Sequence, residues 1–376
     1  MSTESLLNLP ISTNRSDGID FLRGILAMWV LFSHLLPWSV AVSGCSKIVA
    51  LPIRLSTMIF QSNGETNPAV IGFIVLSGYC IHRSGFRRHS GNLRAYVIRR
   101  FFRIWPVYFL ATVTGIVCFV VSSSINASLA TTLTSTNVIA LPYIGAKLLG
   151  VSSIWPSLHE VSFQGNAPLT TAMVEIWLYA LYAVAIFLFL RKFPERYFWV
   201  ALAFGWIAGI ICTLYHHGYR GWWHNGSLLS FSLYWWIGAE FVSLSFFKTI
   251  AGTRKFLLIG WLILTALLLT RTSDSLLLVE SRKIIFALLF GFLTATLDQL
   301  NKRNFAFVVG ASLGKASYSL YALHAPLLLL LLLIGVPWWV VIPAVIITSL
   351  LVNKIYEEKL IRMGKRLASA ANNKVL

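Results

Sequence analysis

The chain has 376 residues, of which 57% are hydrophobic and 12% charged, with a mean hydropathy of +0.74. Soluble domains carry about 25% charged residues, so a soluble fold is excluded and a polytopic membrane protein is expected. A net charge of +18 in a soluble chain would point to nucleic acid. Here the basic residues punctuate apolar runs, which points instead to orientation by the positive-inside rule and to no nucleic-acid partner.

Residues 1–19 are polar and read as a short cytoplasmic tail. The first membrane stretch, residues 20–42, is almost wholly apolar but carries Asp20, Arg23 and His34. No small-residue cleavage site follows, so it is expected to be retained. Arg23 and His34 are eleven positions apart, close to a whole number of turns at ~3.6 residues each, which puts them on nearly one face ~16 Å apart. Asp20 precedes Arg23 by three residues and can pair with it there. Ionisable residues inside a span face a bundle interior or a wet cavity. His34 is therefore a candidate general base or nucleophile, with Arg23 stabilising negative charge. The plainer alternative is a satisfied histidine at a helix contact and a snorkelling arginine.

A second span, residues 69–82, ends in SGYCIHRS. Arg83, Arg87, Arg88, Arg94, Arg99, Arg100 and Arg103 follow with no acidic residue between them, which predicts a cytoplasmic loop over 83–103. Arg99, Arg100 and Arg103 share a face if helical. Such a cluster suits phosphates, lipid head groups or topology alone. The next span is predicted to open at Trp105-Pro106. Residues 123–170 are rich in Ser, Thr, Pro and Gly, contain His159 and Glu160, and read as an outer stretch, partly re-entrant over 138–151.

Further spans are predicted at 171–190, 197–215, 228–247, 256–270, 284–297, 316–335 and 338–355, with a basic tail from 357. The expectation is an all-α bundle of about ten transmembrane helices, both termini cytoplasmic, with residues 20–356 as one membrane domain. Lys47, Arg54, Lys147, Arg220, Arg271, Arg282 and Lys283 then fall outside and the rest of the 31 Lys and Arg residues inside, the bias the rule demands. Glu175 lies near the outer end of its span and could orient a histidine, pair with an arginine or bind an acceptor hydroxyl. For Glu240 a structural ion pair is the simpler role. Tyr318, Tyr321 and His324 recur at i, i+3 and i+6 and either line the cavity of His34 or pack as aromatics between helices. The tryptophan pairs 222–223 and 338–339 read as interfacial anchors. The four cysteines, Cys45, Cys80, Cys118 and Cys212, have no metal or redox spacing, and no metal is expected.

Five stretches in order, DFLRGILAMWVLFSH at 20–34, FIVLSGYCI at 73–81, RRFFRIWPVYF at 99–109, VEIWLY at 174–179 and SYSLYALHAP at 317–326, resemble the acyltransferase-3 family of membrane acyltransferases. The resemblance implies a multi-pass enzyme of the cell's inner membrane. It would take an acyl group, usually acetyl, from cytoplasmic acyl-CoA to a hydroxyl of an exported polysaccharide or its lipid-linked precursor. The implied catalytic residues are His34, Arg23, Tyr321, His324 and Glu175. Arg99, Arg100, Arg103, Ser77 and Tyr79 would serve the donor, Tyr79 or Tyr321 being candidates to meet the oxyanion. A transporter or flippase for a glycan or anionic lipid is the alternative, weakened by the lack of an internal repeat.

Overall fold

The computed structural model describes residues 16–43, 67–83, 93–133, 141–151, 165–185, 195–215, 228–242, 260, 276–298 and 304–373. Every regular element among these is helical. Arg87, Arg88, His159, Glu160, Trp222-Trp223 and, Gly260 apart, the span expected at 256–270 lie outside the described residues.

Helix α1 spans Asp17–Ser43. Ser16 accepts the Ile19 amide at its start, and Asp17 and Asp20 occupy the first turn, where negative charge suits the helix dipole. Helix α2, Pro68–Arg83, is buried along nearly its whole length. Helix α3 runs from Leu93 to Leu133, so it begins a dozen residues before the expected Trp105-Pro106 start. Pro106 is interior, not initiating, and the arginines from Arg94 to Arg103 ride the helix rather than a loop. Beside this proline the Tyr356 hydroxyl reaches the Pro106 carbonyl at 3.5 Å.

Helix α4 (Leu141–Leu148) is short and is followed by Gly150, whose φ of 71° is a left-handed turn that favours glycine. There the Gly150 carbonyl accepts the Trp177 indole N–H at 2.8 Å from helix α5, Pro168–Val184. Helices α6 (Glu195–Tyr215), α7 (Leu228–Glu240) and α8 (Leu276–Leu297) follow. Helix α8 starts eight residues before the expected span, because Glu280, Arg282 and Lys283 are buried helical residues and not loop charges. The span expected at 316–335 is joined to a further helix, α9 (Phe305–Lys315), which meets α10 (Ser317–Leu333) at 72°. Helix α11 (Trp338–Val352) passes through a π-helical turn, Asn353–Glu357, into α12, Glu358–Asn373. Trp338 and Trp339 at its start are exposed.

Among the described residues three helices are long and apolar enough to cross a membrane, Asp17–Leu35, Leu93–Ile125 and Trp338–Ala371, or four if the bent α9–α10 pair is one span. Shorter apolar helices accompany them at Pro68–Arg83, Pro168–Val184 and Val200–Ile211. Exposed apolar side chains such as Val117, Phe204 and Ile347 mark faces fit for lipid.

Two close contacts set the centre of the bundle. A Cβ on Gly78 would lie 1.9 Å from the Trp235 carbonyl oxygen, and one on Gly238 1.9 Å from that of Val75. The α2 and α7 backbones thus touch where neither has a side chain, the usual way membrane helices approach closely. Helix α1 meets α9 and its junction likewise, with Gly314 against the Asp20 carbonyl. That contact holds the α1 face bearing Asp20 and Arg23 toward α2.

Candidate active site

A cavity lies between α1, α2, α3, α5 and α10. Its polar lining includes three arginines, Arg23, Arg100 and Arg103, and one carboxylate, Glu175. Ser77, Thr171, Tyr179, Tyr318 and Tyr321 supply hydroxyls, and Phe73, Ile74, Leu76 and Ile104 the apolar wall. Three guanidinium groups against one carboxylate make this interior suited to an anion.

Each polar group is fixed by its neighbours. Arg23 Nη1 reaches Asp20 Oδ1 at 3.4 Å, the expected i,i+3 pair, and its Nη2 lies 3.3 Å from Cys80 Sγ. The Arg100 guanidinium rests on the rings of Tyr179 and Tyr96, 5.2 and 5.6 Å from their centroids, an arrangement that holds a cation without neutralising it. A chain of hydrogen bonds crosses the bundle. Trp235 Nε1 donates to Ser77 Oγ at 3.2 Å, Ser77 Oγ to the Tyr179 hydroxyl at 3.0 Å, and Tyr179 to Glu175 Oε1. Glu175 is thereby a held acceptor at the cavity wall. Tyr318 donates to the Ile104 carbonyl at 3.0 Å, while the buried Tyr321 hydroxyl lies beside the Thr171 side chain.

Farther along α1 and α10 two histidines meet. His324 Nε2 is 3.4 Å from His34 Nδ1, with the rings edge to face and 5.0 Å between centroids. His324 Nδ1 lies 2.8 Å from the Tyr321 carbonyl and 3.2 Å from that of Leu320. A ring nitrogen this close to a carbonyl carries the proton, so Nε2 of a neutral His324 is a lone pair turned toward His34. His34 Nδ1 lies 2.9 Å from the Val30 carbonyl and is protonated by the same argument, which leaves its Nε2 basic. His324 is wholly within the bundle at 0% exposure, whereas His34 is half-buried. Tyr321 joins the two regions, since its side chain lines the cavity and its carbonyl holds His324.

Arg23, Arg100, Arg103, Ser77, Glu175 and Tyr321 thus gather around one cavity, and His34 and His324 stand as a pair beyond it. Arg99 is exposed on the outer side of α3. Tyr79 turns away to Asp298, donating to Oδ2 at 2.9 Å, while Arg83 bridges Asp298 Oδ1 at 2.9 Å. Sequence reasoning did not single out Trp235, Thr171 or Cys80, which carry no signature outside the fold.

No curated protein and no solved structure matches the chain. The family model described as an acyltransferase domain, acyltransferase-3, matches residues 16–354, a stretch that contains the cavity and the histidine pair. The chain is a member of that family and an acyltransferase of the membrane.

Proposed function

We propose that the protein is an O-acyltransferase of the cell's inner membrane. It takes an acyl group, acetyl in the simplest case, from cytoplasmic acyl-CoA and delivers it to a hydroxyl of an exported or cell-envelope polysaccharide or its lipid-linked precursor. The arginine-bearing end of the bundle faces the cytoplasm in this reading, both termini lie there, and about ten helices span. The observation that supports it is a succession of contacts: Arg100 and Arg103 line a cavity with Tyr321, and the Tyr321 carbonyl holds His324 against His34. In this reading the arginines take the anionic donor and the imidazole of His34 acts on the acceptor.

CoA phosphates are met by Arg99 at the surface and by Arg100 and Arg103 within, as guanidinium suits phosphate. The thioester advances past Arg23. His34 Nε2 accepts the proton of the acceptor hydroxyl as its oxygen attacks the thioester carbon. A C–O bond forms, the C–S bond breaks, and the leaving thiolate takes the Nε2 proton back from His34 to depart as CoA. The imidazolium formed on His34 gives its Nδ1–H to Val30 and His324. Tyr321, next to the path, is the hydroxyl best placed for the oxyanion.

Protein in nanodiscs with acyl-labelled CoA and a glycan acceptor tests this. Labelled glycan and free CoA should appear in equal amounts. Glycan that crosses the membrane with the thioester intact would favour a transporter and overturn the reading.

A further inference from the structure

Pro326 lies inside α10. Proline has no amide hydrogen, so the carbonyl four residues back, that of Ala322, lacks its intrahelical donor. Asn166 supplies one. Its Nδ2 donates to the Ala322 carbonyl oxygen at 3.0 Å. Asn166 stands two residues before α5 and is 2% exposed.

The other half of this amide is the puzzle. Asn166 Oδ1 is buried and has no hydrogen-bond partner among the described residues. Turning the amide over would set oxygen against the Ala322 carbonyl, so the observed orientation is fixed. Satisfying a proline-freed carbonyl needs only a donor. An acceptor held dry beside it is a cost without purpose unless something else uses it. Its neighbours in the chain point to a use. Ala322 follows Tyr321, which lines the cavity, and precedes His324 by two residues. Thr171 and Ala172, at the start of the helix that Asn166 leads into, line the same cavity.

We propose that Asn166 binds the acyl acceptor: anchored on Ala322 through Nδ2, it offers Oδ1 to a hydroxyl of the incoming molecule at the helix that carries Tyr321 and His324. The ligand class is a polyhydroxylated acceptor, one hydroxyl reacting and a neighbouring one held by Asn166. The inference rests on the acyl-transfer reading above. A site built to accept a hydrogen bond discriminates against an analogue lacking that hydroxyl, so Asn166 is also a specificity residue.

The complication for a test is that Asn166→Ala also strips Ala322 of its donor. Pro326→Ala returns an amide N–H to α10 and removes that dependence. Full-length protein in nanodiscs is therefore compared as Pro326→Ala and as Pro326→Ala with Asn166→Ala. Adding the Asn166 change should lower kcat/KM for the acceptor roughly tenfold, leaving the acyl-CoA KM and the melting temperature where Pro326→Ala set them. Equal acceptor kcat/KM in the two proteins overturns the proposal and leaves Asn166 as a cap on a kinked helix. Should Pro326→Ala itself misfold, the single Asn166→Ala variant decides. A larger loss in acceptor kcat/KM than in acyl-CoA affinity supports the assignment, and equal losses refute it. A parent that transfers nothing would remove the acyl-transfer reading itself, a result distinct from either.

Discussion

His34 and His324, 290 positions apart in the chain, face each other with 3.4 Å between Nδ1 of the first and Nε2 of the second. The backbone fixes the proton on His324, so its free lone pair selects one tautomer of His34 and one nitrogen for chemistry. His34→Ala should abolish transfer, a loss on the order of 10²–10⁴ for a missing general base, with acyl-CoA binding intact. His324→Leu should lower kcat roughly tenfold or more at unchanged acyl-CoA KM, because it acts through His34. His324→Gln, whose amide oxygen can accept from His34, should recover part of that loss. Rate assays on matched amounts of folded protein check all three, and a His324→Leu enzyme of parental kcat would return His324 to packing.

The arginines separate by depth. Arg100 and Arg103 line the cavity and Arg99 does not. Replacing Arg100 or Arg103 with Ala should weaken acyl-CoA binding by about 1–3 kcal/mol, the size of a lost charge-assisted bond. Arg99→Ala should matter at low salt and fade as salt rises, since exposed charges are screened over ~10 Å at 0.1 M. Titration of acyl-CoA at two ionic strengths distinguishes them. An equal salt dependence for all three would deny that the cavity takes the phosphates.

Much of this arrangement was legible in the sequence. The α1 pattern of Asp20, Arg23 and His34 gave both the ion pair and the inward face, since helical period alone decides them. The i, i+3, i+6 spacing of Tyr318, Tyr321 and His324 was only partly informative, since Tyr318 and Tyr321 line the cavity while His324 meets His34 beyond it. The start of α3 was misread because a tryptophan-proline pair resembles a helix opening, although Pro106 is embraced by other helices. Glu280, Arg282 and Lys283 looked like loop charges because hydropathy cannot see a partner contributed by another helix. The role of Asn166 was indirectly visible, as any proline inside a span leaves one carbonyl in search of a donor. Which residue answers it only the tertiary fold can show.

Glu280 and Lys283 form a buried pair at 2.7 Å, and Tyr234 from α7 donates to the second carboxylate oxygen at 3.0 Å. Removing one member takes the opposite charge from a residue that stays in the bundle. Lys283→Met should therefore destabilise by about 3–5 kcal/mol. The double change Glu280→Leu with Lys283→Met should recover much of that loss, because apolar side chains can replace a buried pair. Neither residue approaches the cavity, so specific activity of the surviving folded protein should be unchanged. Thermal unfolding in detergent reads the first effect and transfer assays the second. A Lys283→Met variant that melts with the parent would show that this pair adds nothing.

Lys147 poses the opposite case, a buried cation whose Nζ donates to the Thr170 hydroxyl at 2.8 Å. It lies in α4, apart from the long spanning helices, at 2% exposure. Burial pushes its ammonium down to about 7 from an ordinary 10.5. The sign follows from proton counting. Between those two values the unfolded chain binds the proton and the folded chain does not, so stability rises with pH across that window. Below about 7 both states are charged and the full desolvation cost remains. The melting temperature of the parent should thus climb from pH 7 toward pH 9 by more than that of Lys147→Met, which has no proton to lose. Lys147→Met should also be the more stable of the two at pH 6, where the parent holds a charge in an apolar setting. Parallel melting curves for parent and variant over pH 6–9 would show that Lys147 keeps its charge and that the fold satisfies it in some other way.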